Sequence, residues 1–295
     1  MTEQARTERA PGSQSQLADE LKGLDILELP LSPHRDRLAN LWSATWPKLA
    51  AIGIVLLIWQ VVVSLRLWPD YVLPGPLTVL NRLALDITGS QLPLALAITL
   101  RRAFLGFALA LVIGTLLGLA IIRSRTLRTA VASLITGLQT MPSIAWFPLA
   151  ILLFGLNETA IMFVVILGAA PSIANGLIGG VDHIPRIILR AGQVLGATGY
   201  NRYRHVIFPA SLPSFVGGMK QGWAFAWRSL MAAEIYVTIL TGFGLGHLLH
   251  YGRELQDMEQ VLGIMLVIVL VGLLADKLLF APAERFVHRR WGTGR

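Results

Sequence analysis

The sequence predicts an all-α, polytopic membrane protein with six transmembrane helices and both termini on the cytoplasmic side. Three observations predict this. The 295 residues are 54% hydrophobic and only 14% charged, whereas a soluble domain carries about a quarter charged residues. Apolar runs near the length that spans a bilayer core recur along the chain. Arginine and lysine gather in alternate connections between those runs, as they do in cytoplasmic loops.

Residues 1–45 differ in kind from the rest. They are polar, mixed in charge and poor in large apolar side chains, which predicts a disordered cytoplasmic tail. Acidic residues near the start and the lack of an apolar segment after them argue against a signal peptide. Leu24–Leu31 is a short apolar interruption, either a docking patch or a loosely packed piece of tail. The membrane domain is expected over 46–290, with a short C-terminal tail at 291–295.

The first apolar run, 49–67, just spans a bilayer at about 1.5 Å per residue. Trp46 and Trp68 sit near its ends, where interfacial aromatics are favoured. Pro69, Pro74 and Pro76 then interrupt helix formation, and Pro76 suits the first turn of a surface helix through Ala84. The second run, 93–122, places Gly114 and Gly118 four apart, a smooth face for close helix approach. Arg101 and Arg102 in its first turns either snorkel outward, the favoured expectation, or face the bundle. The third run, 131–154, contains Pro142 and Pro148, which kink a membrane helix. The fourth is 159–178. The fifth, 212–240, carries Lys220, Arg228 and Glu234. A glycine-rich, acidic connection at 241–259, expected to be a flexible loop, leads to the sixth, 261–280.

Orientation follows from the charges. Arg123, Arg125 and Arg128 follow the second run; Arg186, Arg190, Arg202 and Arg204 lie between the fourth and fifth; Arg285, Arg289 and Arg290 follow the sixth. The opposite connections hold only Arg66, Arg82 and Arg253. The net charge of +8 is therefore read as topology, and no nucleic-acid partner is expected. The chain has no cysteine, so neither a disulfide nor a thiolate metal site is expected. No lysine follows a glycine, so there is no phosphate-cradling loop. His247 and His250 lack a nearby third ligand, and no metal is expected. No nucleophile–base spacing points to a catalytic site. An ion-driven carrier would carry an internal repeat and acids at mid-membrane; no repeat is visible and Glu234 is the one good acid.

The stretch 189–209 is a polar island that must lie in water. Its pattern resembles the cytoplasmic loop of ATP-binding-cassette importer permeases, whose consensus is Glu-Ala-Ala, three residues, Gly, nine residues, Ile-x-Leu-Pro. Arg190-Ala191-Gly192 takes the Glu-Ala-Ala place, Gly196 is the glycine, and Val206-Ile207-Phe208-Pro209 closes the pattern. The segments Leu73-Pro74-Gly75-Pro76, 141–150 and 222–234 are similar to nitrate, taurine and alkanesulfonate permeases, with the aliphatic sulfonate branch nearest. The resemblance covers about residues 50–290.

The resemblance implies the type I importer permease fold in a bacterial plasma membrane, surrounded by lipid. It implies a homodimer, two ATPase subunits that bind ATP and Mg, and an extracytoplasmic substrate-binding protein. The chain itself would be no enzyme and hold no cofactor. Ala197–His205 would be the coupling helix, with Arg190, Ala191, Gly192, Gly196, Ala197, Tyr200, Arg202, Tyr203, Arg204 and Pro209 as the ATPase-coupling residues. The substrate would be a small anion such as an aliphatic sulfonate, with nitrate, taurine, bicarbonate or a vitamin precursor as alternatives. Pro142, Ser143, Trp146, Trp223, Trp227, Arg228 and Glu234 are candidates for the substrate path. Arg228 is the sharpest, because a buried arginine is costly. Trp223 and Trp227 are open to an ordinary packing role, and Arg228 and Glu234 lie too far around the helix to pair with each other.

Overall fold

A computed structural model describes residues 37–237 and 242–290, and every regular element within them is helical. The expectations for residues 1–36, 238–241 and 291–295 lie outside the described residues. The chain divides into two units, 1–61 and 62–295. The first unit carries most of α1, Arg37–Ser64. This helix begins within the stretch assigned to the tail, and Thr45 donates to the Trp42 carbonyl at 3.3 Å just before Pro47.

In the second unit, α2 is Pro76–Thr88, with Pro76 in its first turn, where a missing N–H costs nothing. It outruns the expected end at Ala84 and buries Val79 and Leu83. α3 is Gln91–Arg123, and α4 is Arg125–Thr140, capped by the Ser124 hydroxyl accepting from the Leu127 N–H. The third apolar run is not one helix. Pro142 lacks an N–H and drives Met141 to an extended conformation, ψ 127°. A tight 3₁₀ turn, Ser143–Trp146, then leads into α5, Phe147–Phe154. The two halves are bent by 101°. Pro148 lies in the first turn of α5 and is harmless there.

α6, Glu158–Asp182, is the central helix. Asn157 caps it by accepting from the N–H groups of Thr159 and Ala160. Its two flanks are packed by glycines. On one side is α3: a Cβ at Gly114 would lie 2.6 Å from the Ala170 carbonyl oxygen, and one at Gly106 2.8 Å from Val165. On the other side is α9, Phe208–Tyr236. Here Gly176 faces Gly218 so closely that a Cβ on either would lie about 2.5 Å from the other's Cα. The smooth face expected at Gly114 and Gly118 is thus used.

Between α6 and α9 come α7, Arg186–Val194, α8, Gly199–Arg202, and a π-helical turn, Tyr203–Ile207. After α9, the connection read as a flexible loop contains a ten-residue helix, α10, Leu245–Glu254. α11, Met258–Ala275, follows an Asp257 cap, and after a second π turn α12, Ala281–Arg290, ends the described chain. Arg82 of α2 bonds Asp257 at 3.1 Å, tying α2 to the start of α11.

Among the described residues, four helices are long and apolar enough to cross a membrane: 45–64, 91–123, 158–182 and 258–290. The bent pair of α4 and α5 would make a fifth. α9 has the length but carries Lys220, Arg228 and Glu234, and is not among them.

Candidate functional site

The polar island has a defined backbone. α7 ends at Val194 with Leu195 as its C-cap, and the chain reverses at Gly196 with φ +79°. The Gly196 N–H donates to the Gln193 carbonyl at 3.0 Å and the Ala197 N–H to the Gly192 carbonyl at 2.9 Å. This is a Schellman ending, which needs a left-handed residue and therefore favours glycine. Gly192 is buried against Val206; a Cβ there would lie 2.7 Å from its methyl group. The glycine in the second alanine's place therefore lets α7 fold down onto the π turn. In the stretch 197–205, expected to be the coupling helix, helix begins only at Gly199, with Ala197 and Thr198 in the turn. Pro209 falls in the first turn of α9, as its fixed φ suits. Val194 and Leu195 are 87% and 85% exposed, Tyr200, Tyr203 and Phe208 are exposed, and so are Arg190, Ala191 and Arg204. Arg202 is half-buried. An exposed surface of apolar and cationic side chains is what a protein partner reads.

A second feature is a cavity of about 310 Å³ at the break between α4 and α5. Its lining includes Gln139, Pro142, Ser143, Trp146, Phe225 and Arg228. The Ser143 and Ser229 hydroxyls are 2.7 Å apart, and Ser229 also lies 2.7 Å from the Phe225 carbonyl. Gly168 makes room, since a Cβ there would lie 2.3 Å from the Ser229 hydroxyl. Gln139 donates to Ser172 at 3.0 Å and accepts from Asn175 at 2.8 Å. Arg228, expected to be a buried arginine, is instead exposed; it donates to the Ala224 carbonyl at 3.2 Å and lies over the Phe225 ring at 4.6 Å. It makes no ion pair among the described residues, so its charge is available to an anion.

Three path candidates do not line this cavity. Trp223 and Trp227 are buried, and Trp223 packs on Phe104 and Phe107 with ring centroids 5.4 and 5.3 Å away. Glu234 is fully buried elsewhere, in a polar knot that the sequence reading missed. Arg102 is also fully buried and does not snorkel. Its guanidinium donates to Glu234 at 3.1 Å, to Glu158 at 3.3 Å and to the Gly242 carbonyl at 3.3 Å. Thr99 donates to Glu234 at 2.9 Å and accepts from the Leu245 N–H at 2.8 Å. The Gly246 N–H, in the first turn of α10, donates to the same carboxylate at 3.1 Å. The first turn of a helix favours a negative charge. Arg101, by contrast, is exposed and pairs with Glu158 at 3.0 Å.

The knot explains the glycine-rich connection. A Cβ at Gly244 would lie 2.3 Å from a Glu234 oxygen, and one at Gly246 2.5 Å from the Glu234 Cβ. These glycines are close-approach residues. His247, buried beside them, accepts from the Gly244 N–H at 3.3 Å through Nδ1, which leaves Nε2–H to donate to the Val237 carbonyl. Burial pushes its imidazole below the ordinary value, against the opposing pull of the Val237 carbonyl and of Glu234. A signal for the knot was present in the sequence. Ala95, Thr99, Arg102, Gly106, Ala110 and Gly114 share one small-residue stripe of α3, so Arg102 faces the bundle and Arg101 does not.

Residues 87–291 match the family described as binding-protein-dependent transport system inner membrane components. The chain is 31% identical over 245 residues to a putative aliphatic sulfonates transport permease protein of Escherichia coli, covering 83% of this chain and 90% of that one. It is 30% identical over 252 residues to the taurine transport system permease protein of the same organism, covering 82% and 90%. Among solved structures, an inward-facing form of the MetNI methionine ABC transporter matches with a TM-score of 0.54 at 20% identity, covering 67% of this chain and 93% of that one.

Proposed function

The chain belongs to the binding-protein-dependent transport system inner membrane components, and on that premise we propose that it is the permease subunit of an ATP-binding-cassette importer for a small organic anion. The observation that carries the reading is the island: an exposed surface whose Schellman turn at Gly196 leads through α8 and a π turn into α9, which reaches the cavity at Arg228. An aliphatic sulfonate is the proposed substrate. Relatives named for aliphatic sulfonates and for taurine support it, beside one named for nitrate, and the guanidinium without an ion pair beside hydroxyl and amide groups suits a sulfonate, whose three oxygens accept hydrogen bonds.

In this reading six spans, α9 included, place the island and both termini in the cytoplasm. Two copies form the pathway, two ATPase subunits dock on the islands, and a binding protein delivers substrate outside. ATP draws the ATPase subunits together, the islands follow, and the permease exchanges an inward-open for an outward-open packing. Two packings within a few kcal/mol of each other suffice for such exchange. This chain's residues move, line and select; the ATP chemistry belongs to the partner.

The test is growth and uptake in a strain lacking the chain, with an alkanesulfonate as sole sulfur source. Lost growth, restored by the wild-type chain, supports the reading; normal growth, with no second sulfonate importer present, moves the substrate to taurine, nitrate, bicarbonate or a vitamin precursor. Gly196→Pro cannot adopt φ +79° and loses the bond to Gln193. It is expected to insert normally and to hydrolyse ATP without uptake. Wild-type uptake by that variant would remove the island from the coupling role.

A further inference from the structure

We propose that the buried knot around Arg102 and Glu234 is a latch on the outer end of α9, and that its release is a step of the transport cycle. Arg102, Thr99 and Glu234 are then positioning residues for coupling and touch no substrate. The inference rests on the permease reading above.

α9 is one continuous helix from Phe208 to Tyr236 with Pro213 inside its second turn, and its 29 residues span about 43 Å at ~1.5 Å per residue. Its first turn continues from the π turn of the island, so a displacement of the island is delivered into α9. Midway, Phe225, Arg228 and Ala232 line the cavity. At the far end Glu234 is fastened to α3 through Arg102 and Thr99, and to α10 through the Gly246 N–H. Arg102 extends the fastening to Glu158 at the start of α6 and to the Gly242 carbonyl. One side chain of the rod thus holds two separate segments directly, α3 and α10, through bonds that are buried.

Such a joint has no slack. The Gly244 and Gly246 backbone already touches Glu234 so closely that a methyl group would not fit. A small shift of α9 leaves a buried carboxylate and a buried guanidinium unpaired, which is unfavourable until new partners or water are reached. Intermediate positions are therefore disfavoured and the joint has two states, which a partner at either end of α9 would bias. A loosened latch would let α9 reach the other packing without the signal from the binding protein. A merely structural knot would lower the amount of folded chain and leave that signal intact.

The experiment uses the assembled complex, with its ATPase and binding protein, in lipid vesicles. Thr99→Val removes the hydroxyl and keeps the volume, Thr99→Ser keeps the hydroxyl, and Arg102→Lys keeps the charge and loses the forked geometry. ATP hydrolysis is read with and without the substrate-loaded binding protein, per assembled complex, alongside uptake of the anion that supports growth. Thr99→Val and Arg102→Lys are expected to raise unstimulated hydrolysis at least about five-fold, the low end of typical coupling strengths. Uptake per ATP should fall by a comparable factor, and Thr99→Ser should restore both. An unchanged ratio of stimulated to unstimulated hydrolysis in Thr99→Val overturns the latch, whatever happens to the yield of complex. A wild-type complex that moves none of the proposed anions would instead remove the permease reading.

Discussion

His247 holds its place as a neutral ring, and its surroundings fix the sign of a pH effect. Nδ1 already accepts from the Gly244 N–H, so a second ring proton would face a donor, and Arg102 and His250 add positive charge nearby. Burial lowers its folded-state value, and α10 lies outside every candidate span. Above the ordinary value of 6.5 both folded and unfolded chains carry the neutral ring, and the residue adds no pH dependence. Below it the unfolded chain binds a proton that the folded chain refuses, so stability falls as pH falls. The slope is up to ~1.4 kcal/mol per pH unit until the folded-state value is reached. Thermal unfolding in detergent between pH 7.5 and 5.5 is expected to show this loss, and His247→Gln to flatten it. Arg102→Ala, which leaves Glu234 buried beside an empty space, is expected to cost about 3–5 kcal/mol, read by the same melt. A melt unaltered by Arg102→Ala would mean that Glu234 finds water or another donor. Arg102 was legible in the sequence only by its register. Its charge alone did not separate it from Arg101, because snorkelling and burial differ by a rotation of one residue, about 100° on a helix.

At the scale of elements, the two glycines 217 and 218 make a matched pair. At Gly217 a Cβ would meet nothing within 4 Å, whereas at Gly218 a Cβ would lie 2.6 Å from the Gly176 Cα. Gly217→Ala is expected to leave the protein as stable or to add up to ~1 kcal/mol through helix propensity. Gly218→Ala is expected to cost about 1–3 kcal/mol by overpacking the α6–α9 crossing. Equal melting shifts for the two would mean that the helices part easily there. Most elements were readable from apolar runs and prolines: the helices over 93–122 and 159–178, the helix from Pro76, the proline start of α9. The exceptions have local causes. The third run is uniformly apolar, so hydropathy joins what Pro142 divides. α10 is rich in glycine and histidine, and it forms because its first turn meets Glu234 and Thr99 from elsewhere in the chain. Tertiary partners of that kind leave no periodic trace.

For the whole molecule, the charge asymmetry makes a topological prediction. Reporter fusions after Gly196 and at the C-terminus should report the cytoplasm, and one in the Arg253–Asp257 turn the outside. A fusion at 253–257 that reports the cytoplasm would overturn the six-span arrangement. The polar island was legible because glycine, proline and arginine interrupt an apolar chain; the cavity at Arg228 was legible only in part, since its walls come from four segments that no spacing relates. The bare crossing of Gly176 on Gly218 has a mechanical consequence. No side chain from either helix stands between the backbones there, so a glide of α9 along α6 at that point lifts no knob from a hole and restricts no rotamer. The crossing is a bearing. Resistance to a glide comes instead from the interlocked side chains on either side of it, Ile173 over Gly222 among them, and from the far end of α9, where charges must part.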